Sequence, residues 1–116
     1  MKANIARLEK QMVFLRELFK YNSIESGWCE CLLLDADFIW GHPKFSFESK
    51  NGKLALVLTL VEEKEDKTNI NCYVNINSVA TRYTVTQRMD DISESSLKYF
   101  FPEKILKDIK THLNAD

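Results

Sequence analysis

Asn69-Ile70-Asn71-Cys72-Tyr73-Val74-Asn75-Ile76-Asn77 decides the fold. Apolar side chains at Ile70, Cys72, Val74 and Ile76 alternate with Asn69, Asn71, Tyr73, Asn75 and Asn77, the period of two that sends successive side chains to opposite faces of a strand. Clean alternation places one face in a core and the other in water, as in an antiparallel sheet. After Asn77-Ser78 the parity reverses. Val79, Thr81, Tyr83 and Val85 carry the apolar face on odd numbers, opposite Arg82, Thr84, Thr86 and Arg88, which requires a bulge or a tight turn at Asn77-Ser78.

A second hairpin precedes this one. Asn51-Gly52, a pair suited to the positive φ angles of a two-residue loop, separates two alternating segments. That loop sets Phe47 against Leu56 and Phe45 against Leu58, with both rings on the Leu face. The other side pairs Lys44, Ser46 and Glu48 with Ala55, Val57, Thr59 and Val61 and is only half polar. The mixed charges from Glu62 to Lys67 read as a solvated loop. Between Trp28 and Trp40 the β-rich pattern is interrupted by Asp35 and Asp37, predicting two short strands or one bent one, closed by a turn at Gly41-His42-Pro43.

Helices flank the strands. From Ala3 to about Tyr21 there is no Gly or Pro, and Ile5, Leu8, Met12, Leu15 and Phe19 fall at spacings of three and four along one helix stripe, with Phe14, Leu18 and Tyr21 beside it. Asn22-Ser23 and the following Glu25-Ser26-Gly27 supply the stop. Toward the carboxy end, Ser93 is a candidate cap for a short helix through Tyr99 or Phe100. Pro102 restarts a helix whose Ile105, Leu106, Ile109, His112 and Leu113 share a face. The expected architecture is α+β: an N-terminal helix, an antiparallel meander of about four to six strands, and one or two C-terminal helices packed on the sheet. Residues 1–116 are expected to form a single domain.

Composition narrows the function classes. The 116 residues are 45% hydrophobic, 28% charged and 11% aromatic, enough apolar surface to fold without disulfides or metal. Sixteen basic against 17 acidic side chains leave a net charge of −1, so no overall basic field holds a phosphate backbone and nucleic-acid binding is disfavoured. The uncharged apolar run Leu54 to Val61 is far short of a membrane span, and the amino end carries no apolar signal core. Three cysteines cannot all pair within the chain and no Asn-x-Ser/Thr sequon occurs, which fits a reducing, cytoplasmic setting.

Catalytic and metal chemistry find little support in the residues. Cys29 and Cys31 with Asp35, Asp37 and His42 contain ligand types, but Cys-x-Cys along a strand spreads its sulfurs about 7 Å apart, unlike a zinc knuckle. A Cys–His pair drawn from Cys29, Cys31 or Cys72 with His42 or His112 needs a nucleophile at an exposed electropositive turn, and none of the three sits at one. With three glycines there is no phosphate-cradling loop, nucleophile elbow or dinucleotide fingerprint. No catalytic residue, metal ligand or cofactor is therefore expected.

The comb of asparagines is the feature that propensity leaves unexplained, since the Asn amide competes with the backbone for hydrogen bonds and Asn is depleted in strands. Asn69, Asn71, Tyr73, Asn75 and Asn77, with Arg82, Thr84 and Arg88 beside them, are the candidate partner-binding residues, a wet interface rather than a catalytic pocket. The stripe Ile5, Leu8, Met12, Leu15 and Phe19 is a second candidate, docking on a partner or making a homodimer unless it packs on its own sheet. The element order resembles that of small helix–meander–helix domains such as RWD-like domains, secretion-chaperone folds and bacterial immunity proteins. The expected function is a non-catalytic intracellular protein-binding module, an inhibitor, immunity-type protein or adaptor, with another protein as partner and no membrane. The competing expectation is a ligand-binding domain or enzyme with a pocket between sheet and C-terminal helix, lined by Trp40, Phe45, Phe47 and His112. Last comes single-strand nucleic-acid binding through Tyr73, Tyr83, Arg82 and Arg88.

Overall fold

The computed structural model describes residues 2–28, 44–62, 67–88 and 92–113. Helix α1 (Lys2–Tyr21) is followed by strands β1 (Lys44–Glu48), β2 (Leu54–Glu62), β3 (Lys67–Ile76) and β4 (Val79–Arg88), then by helices α2 (Glu94–Lys98) and α3 (Glu103–Leu113). The strands form one antiparallel sheet in the order β1-β2-β3-β4, and the helices pack on one of its faces. The chain is thus α+β with a four-stranded meander among the described residues. The expected strands between Trp28 and Trp40 lie outside them, except that Trp28 makes an isolated antiparallel bridge to Ser49.

The period of two in β3 is realised as read. Ile70, Cys72 and Val74 are buried, while Asn69, Tyr73 and Asn75 are half-buried and Asn71 is exposed. β2 contributes Leu54, Leu56, Leu58 and Leu60 to the same core, and β1 contributes Phe45 and Phe47. The register pairs Phe45 with Leu58 and Phe47 with Leu56, as the alternation requires. Phe47 lies 4.7 Å from Phe19 between ring centroids, and Trp28 is 5.9 Å from both rings, an aromatic cluster that locks α1 to the edge strand.

The two hairpins divide the turn chemistry otherwise than the sequence suggests. Asn77 and Ser78 take φ of 50° and 71° between the paired Ile76 and Val79, so this is the two-residue turn with both φ positive. At Asn51-Gly52 the loop is wider. Ser49 N–H donates to the Leu54 carbonyl (2.9 Å), Gly52 N–H donates to the Ser49 carbonyl (3.0 Å), and Gly52 alone has positive φ, at 74°. The side chains explain the difference. Asn51 Oδ1 accepts from Ser49 Oγ (2.6 Å) and from Lys53 N–H (2.9 Å), while Asn51 Nδ2 donates to the His112 carbonyl (2.8 Å), which holds Asn51 in ordinary backbone geometry. Register survives because the wider loop keeps the same pairing parity.

The helix ends follow capping rules. Ser23, at φ 58°, ends α1, with Ile24 N–H bonded to the Phe19 carbonyl and Ser23 N–H to the Lys20 carbonyl, a Schellman closure. Asn22 Nδ2 bonds both Leu18 and Leu97 carbonyls, tying α1 to α2. Ser93 caps α2 by accepting from Ser96 N–H. Gly27 sits at φ 97° where a Cβ would lie 2.7 Å from Leu113 Cγ, so only glycine fits beneath α3.

The described part of the α1 stripe packs inside the chain. Phe14, Leu15, Leu18 and Phe19 are all in the core, and Met12 is half-buried against it. Leu15 and Phe19, expected as part of an interface with a partner or second copy, would have to leave the core to make one, which corrects that reading. The side chains of Ile5 and Leu8 lie outside the described residues. No described helix is long and apolar enough to cross a membrane.

Candidate functional site

The outward face of the sheet is built by register. Asn69, Asn71, Tyr73 and Asn75 stand opposite Thr86, Thr84, Arg82 and Ala80 of β4 on one side and Val61, Thr59, Val57 and Ala55 of β2 on the other. Cross-strand pairs on one face are close enough to interact, and here they do. Thr84 Oγ1 donates to Asn71 Oδ1 (3.1 Å) and Thr86 Oγ1 to Asn69 Oδ1 (2.6 Å). Asn75 Nδ2 donates to the Tyr73 hydroxyl (3.1 Å), and the Arg82 guanidinium lies 5.2 Å from the centre of the Tyr73 ring. Asn69 and Asn71 of the comb thus accept bonds from the neighbouring strand, while Asn75 donates within its own, roles that a carboxamide can fill without bringing a charge.

Tyr73 and Arg82 centre a shallow concavity of about 380 Å³, floored by Val57 and Thr59 and walled by Asn71 and Thr84. Val57 and Thr59 were not among the expected site residues, although the hairpin register already placed them on this face. Asn77, expected in the comb, leaves it. The tight turn takes its backbone to positive φ, its N–H goes to the Lys53 carbonyl (2.9 Å), and its Nδ2 sits 3.4 Å from His112 Nδ1 at the turn end of the sheet. Arg88 pairs with Lys67 at the opposite end of the hairpin.

The inner face is chemically quiet. Burial pushes the Cys72 thiol up to about 12, with the Tyr83 hydroxyl beside it acting the other way, so at neutral pH Cys72 is a thiol and not the thiolate a nucleophile requires. Burial first, and the Cys72 thiol second, raise the Tyr83 phenol above its ordinary value. The thiol bonds weakly to the Ile70 carbonyl at 3.7 Å, and the buried Tyr83 hydroxyl has no partner in hydrogen-bond geometry. Phe45 and Phe47, expected to line a ligand pocket with His112, are packed in the core. Phe47 borders a small apolar crevice of about 150 Å³ with Met12 and Phe19, and His112 is not part of it. Cys29, Cys31, Asp35, Asp37, Trp40 and His42 lie outside the described residues. Among the described residues no three His, Cys, Asp or Glu side chains gather as metal ligands.

Comparison of the chain with protein-family models, curated proteins and solved structures gives no match.

Proposed function

We propose that the chain is a non-catalytic protein-binding module acting in the cytoplasm, in the manner of a small inhibitor, immunity-type protein or adaptor, and that it meets its partner with the outward face of β3 and β4. One observation carries this reading. Tyr73 and Arg82 stack at the centre of a shallow, hydrogen-bonded polar face that the core does not need, and Tyr and Arg are both among the residue types enriched at positions that dominate binding energy. Asn75 holds the Tyr73 hydroxyl, and the Thr–Asn bonds beside the pair supply the polar rim of a wet interface.

The test is photo-crosslinking in the cells that make the chain. A photoreactive phenylalanine analogue replaces Tyr73, and in a separate chain it replaces Tyr99, which is 73% exposed on the helical side. The reading expects a discrete crosslinked protein from position 73 and none from position 99. A partner joined from position 99 alone would put the interface on the helices and overturn the assignment.

A further inference from the structure

The hydrogen bonds on the polar face are directional. Thr84 and Thr86 donate to the carboxamide oxygens of Asn71 and Asn69, and Asn75 donates to the Tyr73 oxygen, so each of these three oxygens already accepts a hydrogen bond. Donors remain. The Nδ2 group of Asn71, the O–H of Tyr73 and the Arg82 guanidinium have no hydrogen-bond acceptor or carboxylate among the described residues. Charge points the same way. Strands β3 and β4 contain no Asp or Glu, and Arg82 stands near the middle of β4 on this face. A face rich in unspent donors and cationic charge is complementary to a carboxylate.

The backbone of β4 says what kind of molecule brings that carboxylate. Ile76 and Val79 flank a two-residue turn and exchange backbone bonds, and so, every second pair along the hairpin, do Val74 with Thr81, Cys72 with Tyr83 and Ile70 with Val85. The N–H and C=O groups of Ala80, Arg82, Thr84 and Thr86 therefore point away from β3, to the side of β4 where no described strand pairs. These residues are exposed, and this ten-residue edge has neither proline nor bulge to blunt it. Alternating donors and acceptors of this spacing match another peptide backbone. A phosphodiester chain offers acceptors alone. A second copy of β4 would bring another Arg82 and no Asp or Glu.

We propose that the occupant is an extended acidic protein segment, which adds as a strand to the outer edge of β4 and gives one Asp or Glu carboxylate to Arg82 and Asn71 beside Tyr73. This rests on the protein-binding reading and names the chemistry of its partner. The experiment is a titration of the full ¹⁵N-labelled chain with a blocked alternating Thr/Glu peptide, its Thr/Gln counterpart, and an oligothymidylate. The Thr/Glu peptide is expected to move the backbone amides of Arg82 and Thr84 and the side-chain signals of Arg82 Nε and Asn71 Nδ2 saturably. The Thr/Gln peptide should bind at least about fivefold more weakly, and Arg82→Gln should abolish the difference while the melting temperature holds. Equal binding of both peptides at these signals would overturn the carboxylate assignment and leave the protein-binding reading standing. Stronger binding of oligothymidylate at the same signals would overturn it in favour of a nucleic acid. Silence toward both peptides would also overturn it, and crosslinking from position 73 then decides the broader reading on its own.

Discussion

The same strands present two faces that obey different rules. On the inner face of β2 and β3, Leu56, Leu58, Ile70 and Val74 are wholly buried and satisfy only the demand to fill space. On the outer face, one residue along, Asn71, Arg82 and Thr84 are open to solvent and Tyr73 is half-buried, yet they are held by hydrogen bonds and a guanidinium–ring contact. An inner-face side chain is explained by the stability it confers. An outer-face arrangement contributes little stability in water, where exposed polar pairs are worth well under the energy of a buried leucine. The contrast teaches that the order of the outer face is not explained by what folding requires, and this is the face to which the proposed partner is assigned.

The largest expected effect belongs to the inner face. Leu58→Ala, at a position between Phe45 and Cys72, should lower unfolding free energy by about 2–5 kcal/mol in urea denaturation. A loss below about 1 kcal/mol would mean that the face is not tightly packed. The next is a pH effect. Cys72 in the unfolded chain loses its proton near the ordinary thiol value of about 8.5, whereas in the fold it does so near about 12. The folded state therefore binds more protons between those values, and stability falls as pH rises, by up to about 1.4 kcal/mol per pH unit from this thiol. Cys72→Ala should remove that part of the slope between about pH 9 and 10, and an unchanged slope would show that the thiol is less buried than it looks.

Much of this was legible in the sequence because alternation is a strict constraint. The Phe45–Leu58 and Phe47–Leu56 pairings, the parity reversal at Asn77-Ser78 and the Ser93 cap follow from pattern and local chemistry. The loop at Asn51-Gly52 was misread in width because its geometry is set by a bond from Asn51 to His112, 61 residues away, which no local pattern carries. Asn77 was drawn into the comb by spacing alone, although a turn residue cannot also be a strand residue. The α1 stripe was ambiguous for a simple reason: a wide apolar face fits a sheet or a partner equally well until the other elements are placed, and placement put Leu15 and Phe19 in the core. The donor bias of the outer face depends on which atom of each Asn the neighbouring Thr meets, a fact of geometry and not of composition.

A smaller gain sharpens the comparison at the turn that assigns β4 residues to their faces. Ser78 holds φ of 71°, a conformation that a side chain strains and glycine does not. Ser78→Gly should raise unfolding free energy by about 1 kcal/mol without moving a single β4 pairing, as read by denaturation and by amide exchange. Loss of stability there would mean that the turn does not set the register.

The smallest stability change is expected where the functional effect is greatest. Calorimetric titration of the crosslinked partner, once purified, against wild type and the Tyr73→Ala/Arg82→Ala double variant tests the account most directly. The account predicts at least about a thirtyfold loss of affinity, with unfolding free energy changed by less than about 1 kcal/mol. A double variant that folds with the same midpoint and binds with full affinity would contradict it.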